Sequence, residues 1–327
     1  MRRSLAAAQE HWPLATAFVI ARGAKTQAEV VVATITQDGA RGRGECTPYP
    51  RYGETPASVL AQLHQVQATI ESGCGRDELQ ALLPPGAARN ALDCALWDLE
   101  AKLSGERAWA RAGRARLDPV KTCYTLSLAA PGQMAEAAAL AARRPMLKLK
   151  LGAPGDLERV QAVREAAPLT RLIVDANEAW DISTLQALAP ELARLDVKLI
   201  EQPLPAGEDA ILEGFRSPVP LCADESLHTR DELDVCASRY DCINIKLDKA
   251  GGLTEALALA AEAHERGLKI MIGSMVATSL AMAPALILAQ GADFVDLDGP
   301  LLLARDREPG LGYVGSMIEP PRPELWG

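Results

Sequence analysis

Between residues 122 and 299 the chain reads TCYTLS (Thr122–Ser127), LKLKL (Leu147–Leu151), RLIVDAN (Arg171–Asn177), KLIEQP (Lys198–Pro203), PLCADES (Pro220–Ser226), CINIKL (Cys242–Leu247), KIMIGS (Lys269–Ser274) and FVDLDG (Phe294–Gly299). Each is a short apolar segment. The stretches between them carry apolar residues at helical spacing. Strand followed by helix, repeated until an eighth strand, predicts an α/β protein whose core is a (β/α)7β barrel, one helix short of a full (β/α)8 ring. In such a barrel the C-terminal strand ends line one mouth, and polar side chains there read as chemistry rather than packing. Lys148, Lys150, Asp175, Glu201, Asp224, Lys246, Asp296 and Asp298 all fall at those ends.

Side chains two apart on a strand share a face. In LKLKL the leucines suit the helix-covered outside, so Lys148 and Lys150 point inward. Their mutual repulsion is expected to lower the pKa of at least one, as a lysine base requires. Asp175, Glu201 and Asp224 end three consecutive strands. Three converging carboxylates need a cation among them, and oxygen-only ligands favour Mg²⁺. Asn177 shares a strand face with Asp175 and is placed to support that site. By the same alternation Glu225 points away from Asp224 and is left out. Lys246 ends strand six, opposite strand two, so Lys150 and Lys246 face each other across the barrel. Two bases on opposite faces of one carbon define a racemase or epimerase, because one removes a proton and the other returns one.

The first 115 or so residues differ. Ala28–Thr36 alternates like an antiparallel strand, Asp38-Gly39 is a turn signal, and Thr55–Ile70 and Ala87–Leu103 read as helices. This segment is expected to form an α+β capping domain (1–115) before the barrel (116–300). A Pro-rich tail (301–327) should pack back on the cap. Two Gly-, Arg- and Tyr-containing loops, around Arg22 and around Thr47–Gly53, are candidate binding loops.

At 327 residues, 48% hydrophobic and net charge −9, the chain has room for a large core and shows no basic run, which argues against nucleic acid and anionic membranes as partners. Seven scattered cysteines without CxxC spacing point to buried thiols in a reducing, cytoplasmic setting. The basic start at Arg2-Arg3 is followed by too short an apolar run for a secretory leader, and no stretch is long enough to span a bilayer. Self-association is left open.

The motifs Lys148-Leu-Lys150, Asp175-Ala-Asn177, Glu201-Gln-Pro203, Ala223-Asp224-Glu225-Ser226 and Asn244-Ile-Lys246 together resemble the enolase superfamily, muconate-lactonizing subgroup, whose pattern of a Lys base with Mg²⁺ is a known one. Asp296-Leu-Asp298 resembles the dipeptide epimerases within it, the Ala-Glu epimerases above all. The resemblance implies that Lys150 and Lys246 are the bases and that Lys148 tunes Lys150. It places Mg²⁺ on Asp175, Glu201 and Asp224, and the substrate's ammonium on Asp296 and Asp298. It also implies that Arg22 meets a glutamate side chain and that Thr125, Ser274 and Met275 touch the dipeptide backbone. Epimerisation of L-Ala-D-Glu and L-Ala-L-Glu in murein peptide metabolism is the activity so implied. Epimerases of hydrophobic or cationic dipeptides, an N-acylamino-acid racemase or a cycloisomerase are the alternatives on this scaffold, with a non-catalytic binding barrel behind them.

Overall fold

The structure, a computed structural model, describes residues 3–152 and 154–327; Met1 and Arg2, at the basic start weighed above, lie outside the described residues. Three antiparallel strands open the chain: β1 (Ser4–Ile20), β2 (Gly23–Gln37) and β3 (Ala40–Cys46). Asp38 and Gly39 form the β2–β3 turn with φ of 51° and 82°, the positive values a tight hairpin demands. β1 escaped the sequence reading because most of its side chains are exposed, leaving little alternation to detect. Helix α1 (Pro56–Glu71) begins where Ser58 N donates to Thr55 Oγ1 (3.1 Å) and Thr55 N donates back to Ser58 Oγ (2.9 Å). That exchange satisfies two otherwise orphaned donors, and Pro56 has none to satisfy. α2 (Arg76–Leu82) leads to α3 (Ala87–Ser104), which is buried along nearly its whole length. α3 lies so close to β3 that a Cβ on Gly44 would stand 2.1 Å from the Ala91 carbonyl oxygen.

A short strand, β4 (Val120–Lys121), precedes the barrel. The eight parallel barrel strands are β5 (Tyr124–Leu126), β6 (Met146–Lys150), β7 (Arg171–Asp175), β8 (Val197–Glu201), β9 (Leu221–Ala223), β10 (Cys242–Lys246), β11 (Lys269–Gly273) and β12 (Phe294–Asp296), neighbours in chain order. The ring is drawn together between β12 and β5 by Cys123 N donating to Val295 O and Leu297 N to Thr122 Oγ1, both 2.9 Å. Two short strands, β13 (Tyr313–Val314) and β14 (Met317–Ile318), pair with each other, and β14 pairs with β4.

Alternation sorts the strand residues as expected. Leu147, Leu149 and Leu151 join the large core under the helices. The inward positions begin with an apolar floor made of Cys123, Met146, Ile173, Leu199, Cys222, Cys242, Met271 and Phe294. Two residues further along the chain, on the same face, stand Thr125, Lys148, Asp175, Glu201, Asp224, Asn244, Gly273 and Asp296. The barrel is thus a dry plug with a polar layer on top. One connection departs from the strand–helix pattern. Between β8 and β9 the chain makes only a 3-10 turn (Asp209–Leu212), because Pro205, Gly207, Gly214, Pro218 and Pro220 punctuate that segment.

The C-terminal residues return to the first hundred: Trp326 Nε1 donates to Cys94 O (3.0 Å) and Gly327 N to Asp98 Oδ1 (2.7 Å). Asp248, just after β10, joins barrel to cap by accepting from Thr47 N (3.0 Å) and Asn90 Nδ2 (2.8 Å). Burial pushes its carboxyl up to about 7 against the pull of those donors. The folded protein therefore holds this proton to higher pH than the unfolded chain does. Stability should fall as pH rises from the unfolded value, about 4, through the folded one. Asp248→Asn keeps an acceptor there without the charge. It is expected to raise the thermal midpoint at pH 8 and flatten that decline; an unaltered pH profile of the midpoint would contradict this.

Candidate active site

The strand ends open into a cavity of about 300 Å³ roofed by the β1–β2 hairpin and by the loop after β3. Arg22, Thr125, Lys148, Lys150, Asn177, Asp224, Lys246, Ser274, Met275, Asp296 and Asp298 all line it. Asp175 and Glu201 lie fully buried just beneath. The residues singled out from the sequence are thus brought to one place.

Four ammonium groups interleave there with four carboxylates. Lys150 Nζ is 2.6 Å from Asp175 Oδ2, and Lys246 Nζ is 2.6 Å from Asp224 Oδ2. Lys148 Nζ sits among three acids, 3.1 Å from Asp175, 2.7 Å from Glu201 and 2.7 Å from Asp296. Lys249, which strand alternation did not point to, reaches Asp224 Oδ1 at 2.7 Å from the helical turn after β10. Burial works against the charge on Lys148, but its three carboxylates outweigh it and raise its pKa well above the usual value. This corrects the expectation of a lysine depressed by its neighbour, as far as Lys148 goes: acids surround it, so it is a fixed positive charge. Burial likewise opposes ionisation of Asp175 and Asp224, yet Lys150 and Lys246 hold both well below the ordinary carboxylate range. Lys246 is raised in turn, Asp224 overcoming burial.

Glu201 is the exception. Burial, and then Asp175, push it up to about 7. Its Oε1 accepts from Asn244 Nδ2 (2.8 Å), while its Oε2, though close to Lys148, receives no hydrogen bond. No three acidic, histidine or cysteine side chains among the described residues form a ready cation cage. The donor set nonetheless fits a hard cation. It consists of buried oxygens on three adjacent strand ends, among them the Glu201 Oε2 that receives no hydrogen bond, with the unpartnered Oδ1 of Asn177 beside them.

Lys148 and the Cys123 thiol (Sγ–Oδ1 2.9 Å) both donate to Asp296. Asp298 is not on the strand, which ends at Asp296; it starts the following helical turn and accepts from Thr125 N (2.6 Å). Burial, and then Asp296, push Asp298 up to about 7. Ser274 Oγ donates to Asp296 O (3.3 Å). Glu225 was set aside on strand alternation. β9 ends at Ala223, so alternation no longer applies, and Glu225 lines the cavity with Oε1 2.6 Å from Arg22 Nη2. Arg22 also donates to Asn177 O (2.8 Å), Glu178 Oε2 (3.0 Å) and Tyr49 Oη (3.0 Å), tying the hairpin to the mouth.

The chain's relatives share this arrangement's fold. Residues 2–109 match the model of the mandelate racemase/muconate lactonizing enzyme N-terminal domain, and residues 133–312 that of the enolase C-terminal domain-like family. An L-Ala-D/L-Glu epimerase from Escherichia coli (strain K12) is 50% identical, covering 95% of this chain and 98% of its own. An N-acetyl-D-glutamate racemase from a Pseudoalteromonas species is 44% identical over 91% and 95%. An enolase family member from Agrobacterium tumefaciens, solved with sodium and L-Ala-L-Glu, superposes with a TM-score of 0.98 at 52% identity over 99% and 100%. A dipeptide epimerase from Enterococcus faecalis V583, solved with Mg and L-Leu-L-Tyr, superposes with a TM-score of 0.90 at 27% identity over 98% of both chains. Epimerases and racemases are isomerases, and this chain is an isomerase belonging to the mandelate racemase/muconate lactonizing branch of the enolase superfamily.

Proposed function

We propose that the protein interconverts L-Ala-L-Glu and L-Ala-D-Glu by moving the proton on the glutamyl α-carbon, within murein peptide metabolism in the cytoplasm. The observation that carries this reading is the placement of Lys150 and Lys246. β6 and β10 stand four strands apart in either direction round the ring, and both lysines reach the same cavity. A planar carbanion between them is accessible to a proton from either side. Lys150 takes the α-proton of one diastereomer and Lys246 delivers to the opposite face; the reverse reaction exchanges their roles. Lys148 stays charged and holds Asp296 and Glu201 in place. Asp175, Glu201 and Asp224 would hold Mg²⁺, with Asn177 beside them. When bound, Mg²⁺ would supply positive charge to offset the negative charge that grows on the substrate as the proton leaves. Thr125, Ser274 and Met275 line the dipeptide's path, and Arg22 braces the hairpin over it. The cap comprises 1–115, the catalytic barrel 116–300, and 301–327 returns to the cap. The 50% identity to an L-Ala-D/L-Glu epimerase supports the choice of dipeptide.

Asp298 carries the substrate's ammonium in this reading, since Asp296 already has Lys148. A second reading, racemisation of an N-acyl amino acid, is favoured by the 44% identical N-acetyl-D-glutamate racemase and by an Asp298 that burial, then Asp296, raises to about 7. The two separate on one comparison. With L-Ala-L-Glu and N-acetyl-L-Glu offered to the same protein and Mg²⁺, α-proton exchange in D₂O should favour the dipeptide by about 30-fold or more, the penalty for leaving a buried charge unpaired. Faster exchange of N-acetyl-L-Glu would replace the epimerase by the racemase.

A further inference from the structure

Each of the three carboxylates assigned to the cation has one oxygen among the lysines of the cavity and one held from behind. On Asp175 the front oxygen is Oδ2, 2.6 Å from Lys150 Nζ, while Oδ1 accepts from Asn177 N at 2.9 Å. On Glu201, Oε2 stands 2.7 Å from Lys148 Nζ, while Oε1 accepts from Asn244 Nδ2 at 2.8 Å. On Asp224, Oδ2 meets Lys246 Nζ at 2.6 Å, while Oδ1 accepts from Lys249 Nζ at 2.7 Å. Lys148, Lys150 and Lys246 line the cavity; Asn244 and Lys249 lie behind its wall, 0% and 1% exposed.

The rear donors are fixed by the fold. Asn177 takes φ 46°, a left-handed turn that asparagine tolerates, and its N–H meets Asp175. Asn244 occupies the inward position of β10 two residues before Lys246. Gly273 makes room for its amide, since a Cβ there would stand 2.5 Å from Asn244 Oδ1. Lys249 leaves the helical turn after β10 and donates also to Asp224 O and, at 3.0 Å, to Asn244 O. An ammonium has three protons to donate, and these three acceptors use them all.

We propose that Asn244 and Lys249 are positioning residues that select the cation: by holding the rear oxygens of Glu201 and Asp224, they admit Mg²⁺ and reject Ca²⁺. This rests on the reading that Asp175, Glu201 and Asp224 hold the metal. Ca²⁺ takes about six to eight oxygens and gains from carboxylates that grip with both, whereas Mg²⁺ needs near-octahedral directions and keeps several waters. With every rear oxygen occupied, the three carboxylates offer one oxygen apiece. Removing a rear donor adds an oxygen that favours the larger ion.

The test titrates the metal-free full chain with Mg²⁺ and with Ca²⁺ by calorimetry, so that binding is read without turnover. Wild type is expected to bind Mg²⁺ the more tightly. In Asn244→Ala, and separately in Lys249→Met, the ratio of Ca²⁺ to Mg²⁺ affinity should rise about tenfold or more, the lower end of what residues behind metal ligands contribute. Loss of the Lys249 charge alone would strengthen both ions alike, and a loosened fold would weaken both, so neither moves the ratio. Asn244→Ala changes no charge and carries the test if Lys249→Met does not fold, which the thermal midpoint checks. An unchanged ratio in a folded variant would overturn that residue's role. A wild type that binds Ca²⁺ as tightly as Mg²⁺ would overturn the selection and leave the metal reading in place. A wild type that binds neither ion overturns both.

Discussion

Lys150→Ala and Lys246→Ala are each expected to stop interconversion of L-Ala-L-Glu and L-Ala-D-Glu, lowering the rate by at least about 10²–10⁴-fold, the usual contribution of a positioned acid or base. The losses should be of different kinds. A protein lacking Lys246 still has Lys150 on one wall, so it exchanges the α-proton of one diastereomer with solvent without inverting it. A protein lacking Lys150 does the same for the other. Neither substitution strips a carboxylate bare: Asp175 keeps Lys148, and Asp224 keeps Lys249. Both variants should therefore fold, which circular dichroism and the thermal midpoint check. Two single variants that still interconvert the diastereomers would remove the case for two bases.

Exhaustive chelation is expected to abolish turnover, and added Mg²⁺ to restore it. The argument is the imbalance at Glu201, a fully buried carboxylate whose Oε2 receives no hydrogen bond and shares the Lys148 ammonium with two other acids, between two acids that Lys150 and Lys246 already neutralise. Asp175→Asn, Glu201→Gln and Asp224→Asn should each weaken Mg²⁺ uptake, measured by titration calorimetry, by more than the about 10- to 100-fold typical of groups outside the ligand shell. Full activity in chelated protein would contradict the assignment. Unchanged Mg²⁺ affinity in all three variants would do so too.

The barrel and its polar layer were legible because a strand converts sequence spacing directly into direction. Period-two alternation set Lys148 and Lys150 on one face and three leucines on the other, and the structure keeps them there. The reading lapsed wherever the strand stopped. Glu225 follows the end of β9, and Asp298 follows the last residue of β12, so parity no longer fixes where they point, although Asp224 still keeps the inward face of Cys222. Lys249 returns to the site through a helical turn, and its spacing of three from Lys246 signals nothing without the knowledge that β10 ends there. The long β1 hides for another reason, its exposure. The role of Arg22 lay beyond any local signal, because it depends on which distant carboxylates occupy its guanidinium, and Glu178 and Glu225 are more than 150 residues away.

The most direct test of two opposed lysines follows wild-type protein with Mg²⁺ in D₂O, starting from L-Ala-L-Glu and stopping while conversion is small. The mass of the glutamyl residue is then read in both the recovered substrate and the product. If Lys150 and Lys246 act from opposite faces, the L-Ala-D-Glu formed carries deuterium at the α-carbon, because its proton comes from a lysine that has exchanged with solvent. Product that retains the original hydrogen in most molecules would mean that one group removes and returns the same proton, contradicting the two-base account.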